Sequence, residues 1–268
     1  MSSPLRRRPF TTLVLAVLWL CAPVLALPAR AGEDILEADR PDLAEGPSAL
    51  APRVVQVELG MTHWRLGPSA IVQETLDSVG ELLLRAGLAP GWEARLVLPS
   101  WHSETRIHPQ YDPAGPQSLE TSGFGDAALG VKRDLPSPHP RLETGLIAEV
   151  TLPVGEAPFG GGDASAGVTL AAALASAPGD WCGNVGYARS GETDAVLATV
   201  SFERALVKRL AAFAEVAWLG GEGESRRVAG AGLLWQVASR TRLDVRYGGE
   251  FARGTSEPLF GLGLVQRW

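Results

Sequence analysis

The sequence predicts an all-β fold: an antiparallel transmembrane β-barrel of about twelve strands, preceded by an N-terminal signal peptide. Three observations carry this expectation. Apolar and polar residues alternate with period two from Arg53 to the end. Most alternating segments are about ten to thirteen residues long, the length of membrane-crossing strands and about twice that of ordinary soluble ones. After residue 31 no run of 18 uninterrupted apolar residues occurs, so membrane insertion would have to use strands.

The first element is residues 1–31. Arg6, Arg7 and Arg8 precede the apolar run Phe10–Leu27, and Ala29-Arg30-Ala31 is a small-x-small cleavage pattern, together a secretory signal peptide. The uninterrupted apolar part, Phe10 to Ala22, is short for a spanning helix, and Leu20 before Cys21 disfavours lipid attachment there. Cleavage after Ala31 removes four basic residues and no acid, taking the net charge from -6 to -10. It also leaves Cys182 as the lone cysteine, which rules out an internal disulfide. An acidic chain is poorly suited to wide nucleic-acid contact. Its hydrophobic fraction of 46% is too high for disorder.

Residues 32–52, with Pro41, Pro47 and Pro52, read as an extended periplasmic lead-in, and residues 53–268 as the barrel. The expected strands are 53–66, 71–87, 91–101, 123–133, 140–152, 164–176, 180–189, 193–204, 208–219, 226–238, 240–252 and 257–268. Residues 164–176 are Ala-rich and 205–217 also admit a helical pattern. Both lie between turn signals at hairpin spacing, which favours strands. Connections after even-numbered strands are short, while two after odd-numbered ones, 102–122 and 153–163, are long. That parity suits periplasmic turns at one end of a barrel and external loops at the other.

The polar face carries Glu58, Glu81, Arg85, Glu93, Arg95, Asp126, Lys132, Glu143, Glu149, Glu203, Glu215, Arg242, Asp244, Arg246 and Glu250. In a membrane barrel this face lines the lumen and the apolar face meets lipid. A soluble sandwich could show the same alternation with its faces reversed. Trp64, Trp92, Trp101, Trp181, Trp218, Phe251, Phe260 and Trp268 fall near segment ends, where interfacial girdles sit, and Trp235 is an exception. The closing strand ends on Trp268 and is similar to the C-terminal signal that engages the barrel assembly machinery.

With these residues in view, the chain resembles the bacterial family "Putative MetA-pathway of phenol degradation". The resemblance rests on Ala38-Asp39-Arg40-Pro41-Asp42, on Val55–Gly60, on Glu81–Leu88 with Trp92–Leu96, on Gly123–Lys132, and on Val150–Gly155. Ala86 and Ala89 stand where Tyr and a polar turn residue are expected. The resemblance implies an outer-membrane barrel that passes small solutes, aromatic ones among them.

No catalytic or metal site and no cofactor is expected. His63, His102, His108 and His139 have no ligand-spaced partners. In His102-Ser103-Glu104 the neighbouring side chains point to opposite faces of a strand, which disfavours catalysis. The candidate site is the lumen wall: Glu81, Arg85, Glu93, Arg95, Asp126, Lys132, Glu143, Glu149, Arg242, Asp244, Arg246 and Glu250, as charge ladders that filter solutes or brace the barrel. Asp39, Arg40, Pro41 and Asp42 are candidates for a periplasmic mouth, against a disordered tether. The expected function is a passive outer-membrane channel for small solutes, exported through the periplasm, with lipid and solute as partners and no nucleic acid. An outer-membrane enzyme acting on lipid and a sealed structural or ligand-binding barrel are the alternatives.

Overall fold

The computed structural model describes residues 36–40, 43–69, 72–108, 117–221, 224–252 and 255–268. The expected signal peptide, Pro41 and Asp42 lie outside them. The strands are β1 (Val55–Ser69), β2 (Val72–Ala89), β3 (Trp92–Leu98), β4 (Trp101–His108), β5 (Gln117–Phe124), β6 (Ala127–Leu135) and β7 (Leu142–Leu152). They continue as β8 (Ser165–Leu174), β9 (Asp180–Ser190), β10 (Thr193–Val207), β11 (Leu210–Gly221), β12 (Glu224–Ala238), β13 (Thr241–Ala252) and β14 (Thr255–Arg267).

These fourteen strands form twelve staves of one closed antiparallel barrel. β3 and β4 both pair with β2, one below Gly80 and the other above it. β3 then pairs with β6 and β4 with β5, so each couple is one stave with a break, at Pro99-Ser100 and at Gly125-Asp126. Closure comes from β1, which pairs with β2 on one side and β14 on the other. Trp268 completes the seam, its N–H donating to the Val55 carbonyl at 2.8 Å. Closing a sheet on itself leaves no unpaired edge.

The Ala-rich segment is strand β8, and 205–217 divides between β10 and β11 as strand. The expected long loop 102–122 is corrected: most of it is strand, β4 and β5, which pair with each other. The cause is the loss of apolar alternation along Trp-His-Ser-Glu-Thr-Arg-Ile-His and Gln-Ser-Leu-Glu-Thr-Ser-Gly-Phe. Strand backbone needs no greasy face where it no longer touches hydrocarbon. The other long connection, 153–164, is real.

The faces are inverted relative to a soluble protein. Along β6 to β9, Leu129, Val131, Leu146, Val150, Val168, Leu170 and Val185 are exposed on the outside, Val185 by 61%. Their polar neighbours turn inward, and Glu58, Glu93 and Lys132 are 0% exposed. Outward aromatics form two belts. Trp92, Trp181, Trp235 and Trp268 lie toward the end that bears both termini, and Trp101, Phe124, Trp218, Tyr247 and Phe260 toward the far end. Trp235 is therefore no exception, because its partner Leu210 is the first residue of β11. Trp64 leaves the girdle: it shares the inward face of β1 with Thr62.

This arrangement predicts asymmetric mutational costs along β8. Leu170→Arg, outward and 50% exposed, should cost about 2–4 kcal/mol in equilibrium urea unfolding from phospholipid vesicles. Thr169→Lys, the next residue but inward-facing, should change stability by less than about 1 kcal/mol.

Candidate functional site

Described residues 36–40 and 43–50 of the lead-in lie inside the barrel, on the half nearer the termini, and Ala51 and Pro52 are exposed just before β1. An extended segment without sheet partners must satisfy its backbone elsewhere, and here inward side chains of the wall do it. The Leu36 N–H donates to Gln236 Oε1 at 2.8 Å, and the Arg40 N–H to Glu58 Oε2 at 3.1 Å. Leu43 donates to Glu215 Oε2 at 2.6 Å and Glu45 to Asn184 Oδ1 at 2.7 Å. Ala49 donates to Asp134 Oδ1 at 2.7 Å and Leu50 to Glu93 Oε2 at 2.9 Å. Arg242 donates to the carbonyls of Leu36 and Arg40, and Ser48 Oγ to Glu143. The segment thus touches β1, β3, β6, β7, β9, β11, β12 and β13 before leaving the lumen.

Its electrostatic centre is Asp39. Lys132 Nζ lies 2.9 and 3.0 Å from its two oxygens, Arg85 Nη1 lies 3.3 Å from Oδ2, and Arg95 Nη1 closes on the same oxygen. Arg85 grips Glu93 at two points, 2.7 and 2.9 Å, and reaches Glu58 at 3.0 Å. Arg95 Nη2 holds Glu45 at 2.6 Å. Register explains the need for this cluster. Arg85 and Arg95 are directly opposed across β2 and β3, a destabilising like-charge pair. Glu93 from the wall and Asp39 from the lead-in supply the missing anions.

Burial by itself would push the Asp39 carboxyl up. Arg85, Lys132 and Arg95 outweigh that and hold it well below the usual carboxylate range. Burial raises Glu37, against the lowering pull of Arg85 and Lys132.

The wall is also cut to fit. A Cβ on Gly87 would lie 2.0 Å from the Ala51 carbonyl oxygen, one on Gly145 2.1 Å from that of Pro47, and one on Gly60 2.0 Å from the Arg40 guanidinium carbon. All three glycines face inward, so missing side chains make room for the lead-in.

Most expected site residues converge on this assembly. Arg85, Glu93, Arg95 and Lys132 form its centre, Glu81 pairs with Arg40 at 2.8 Å, and Glu143 and Arg242 hold the lead-in backbone. Arg246 pairs with Glu215 at 2.6 Å, and Asp244 lies inward between Arg242 and Arg246, its carboxylate over Gly263. Glu250 is held by Arg226 at 2.7 and 2.6 Å. Asp126 accepts the amides of Gly155 and Gly161 at 2.8 and 2.9 Å and so pins the 153–164 connection. Glu149 faces open space. Glu58 and Glu215 stood on the expected polar face but outside the expected site. Gln56, Asn184, Asp134 and Gln236 were missed as well. Inward position was their only signal, because what they bind is a segment without periodicity.

Two spaces flank the lead-in. On the far side a chamber of about 900 Å³ is floored by Asp39, Leu43 and Glu45 and walled by β7 to β11. On the terminal side a cavity of about 320 Å³ lies among Leu36, Ala44, Cys182, Phe213 and Leu234. Farther out, His102 meets Ser78 Oγ at 2.8 Å and Ser100 Oγ at 2.9 Å, and its ring stacks on Phe159. Ser103 occupies the opposite strand face from His102 and Glu104.

The chain belongs to the family described as "Putative MetA-pathway of phenol degradation", whose model matches residues 38–268. No curated protein sequence matches it. It is similar to a solved outer membrane channel from Pseudomonas putida F1, at 14% identity and a TM-score of 0.58, over 83% of this chain and 98% of that one. It is also similar to the beta domain of the Bordetella autotransporter Brka, at 10% identity and a TM-score of 0.51, over 81% and 100%. At such identities the likeness concerns the fold.

Removing the central anion should release the lead-in. Asp39→Ala removes the anion shared by three buried cations and leaves Lys132 without a carboxylate, a loss of about 3–5 kcal/mol, and Gly145→Val collides with Pro47. Cys182, the one cysteine among the described residues, lies with Sγ 3.5 Å from the Glu45 carbonyl and reports the change. Its labelling by a water-soluble maleimide should accelerate in both variants, with the barrel still folded by heat-modifiable gel mobility. Unchanged labelling would contradict docking.

A pH expectation follows from Asp39. A depressed carboxyl contributes stability above its unfolded value, about 3.9, and loses it only as pH falls through the folded value. Cys182 labelling of the wild type by a pH-insensitive reagent should therefore not accelerate between pH 7 and about pH 5.

Proposed function

We propose that this protein is an outer-membrane channel for small solutes, aromatic or hydrophobic ones among them, whose lumen is narrowed by its own N-terminal lead-in. The observation that carries the reading is the inversion of the wall: a closed barrel, apolar outside, encloses an ionic interior and a chamber of about 900 Å³. That volume lies at the upper end of the range for small-molecule sites. A basic and apolar leader ending in Ala31 supports export through the periplasm to the bacterial outer membrane. A seam closed by Trp268 supports assembly through the C-terminal strand. The solved channel from Pseudomonas putida F1 shares the fold and supports the same role. On this reading the termini lie on the periplasmic side, and transport is passive, without bond-making chemistry.

The docked lead-in favours one rival, a sealed barrel. Planar bilayers separate the two. The wild type should pass a small ion current, and Asp39→Ala or Gly145→Val should raise it severalfold. A correctly folded barrel that carries no current in any of the three would remove the channel reading.

A further inference from the structure

The chamber above the lead-in has an uneven charge balance. Asp39 at its floor is matched by three cations, and Glu45 by Arg95. At the rim, Arg226 is committed to Glu250 through two hydrogen bonds. Glu149, inward on β7, has no such partner among the described residues. The reason lies in the register: its cross-strand neighbours are Gly130 on β6 and Gly167 on β8, neither with a side chain to offer. Arg95, two staves away across Gly130, is occupied by Asp39 and Glu45. Glu149 therefore presents to the chamber a carboxylate that makes no ion pair or hydrogen bond with the described residues of the wall and feels Arg95 only at longer range.

The one other charged residue among the described residues of the wall is Asp194 at the rim, whose carboxylate accepts from the Tyr187 hydroxyl at 2.6 Å and lies 3.8 Å from Arg189, and the remaining wall is not ionic. Ile147 sits two residues along the same face as Glu149, and Leu197 and Leu219 lie on the wall formed by β10 and β11. Small neighbours such as Gly186 and Ala195 keep the space between them open. An unpaired carboxylate in a narrow lumen, bounded by protein and lipid of low dielectric, attracts a cation far more strongly than it would in bulk water. Apolar walls within reach add the burial of a compact hydrocarbon body.

We propose that this chamber is a binding site for small organic cations, an ammonium head on a compact apolar body, with Glu149 accepting the head group and Ile147, Leu197 and Leu219 holding the body. The proposal names the solute class of the channel and rests on that reading for its role in transport, but binding is measured without current. The full-length protein in lipid nanodiscs is titrated calorimetrically with three probes of one shape: phenethylammonium, 2-phenylethanol and phenylacetate. Phenethylammonium should bind at least about tenfold more tightly than the alcohol, the scale of one charge-assisted hydrogen bond, and phenylacetate weakest. Glu149→Gln should abolish the preference for the ammonium. Glu203→Gln, a carboxylate bordering the other cavity, should leave it intact. Equal binding of ammonium and alcohol, tighter binding of phenylacetate, or a preference that survives Glu149→Gln would overturn the assignment. Selective binding in a barrel that passes no current would sustain the site and remove the channel.

Discussion

The interior of this barrel depends on one carboxylate that is not part of the wall. Arg85 and Arg95 face each other across β2 and β3, with Lys132 one stave farther on. Three cations in so small a space repel one another, and burial strips them of the water that would screen them. Glu58 and Glu93 offset part of that charge. Asp39 touches all three cations and supplies the rest. The lead-in is thus an integral part of the folded interior, as much as any strand.

The same dependence appears sterically. Gly60, Gly87 and Gly145 leave gaps on the inward face that would be voids in an empty barrel, and the lead-in fills them. Electrostatics fixes where the segment sits, and the glycines fix how closely it can approach. Wall side chains then accept its amides, so an extended peptide without secondary structure avoids unpaired buried backbone. Charge, volume and hydrogen bonding agree on one docked position, which is the condition for a single stable arrangement.

Strand period, stave number and the inside-outside assignment of the ladders were legible because hydrocarbon outside and water inside impose a strict alternation wherever both are present. Leu146 and Glu149 obey it, and both face as their parity requires. Legibility stopped where one of those solvents was missing. Beyond the belt residues Trp101 and Phe124, residues 102–108 and 117–123 carry no regular apolar stripe, so their strand character left no such signal. Inside the lumen, parity placed Arg85 and Arg95 on the inward face but gave no register, and only register shows them opposed. Asp39 was singled out in the lead-in, and the cations were singled out in the wall. Their meeting is a contact between residues 46 to 93 positions apart, with no local pattern to announce it. Asn184 and Gln236 were overlooked, and Glu58 was placed on the polar face but not in the site, for the same reason: what marks them is a partner in the lead-in, which no local pattern announces.

The lumen is divided unequally, and the division bears on any path through it. Charge-paired anchoring of Asp39 and Arg40 concentrates on β1, β2, β3 and β6, where the attachments are ionic and multiple. Against β7, β9 and β11, residues 43–48 are held by one hydrogen bond each to Glu143 and Glu215 and by two to Asn184. The open chamber lies on that same side, under walls of small and weakly polar residues. Releasing Asp39 would cost several buried ion pairs, whereas shifting residues 43–48 breaks the single Glu45–Arg95 pair and hydrogen bonds that water or solute can replace. In the channel proposed above, a passage between the chamber and the smaller cavity behind it would open at least cost along β7 to β11, with the Asp39 anchor still in place. On that account the lead-in acts less as a stopper to be expelled than as a fixed post with one yielding side.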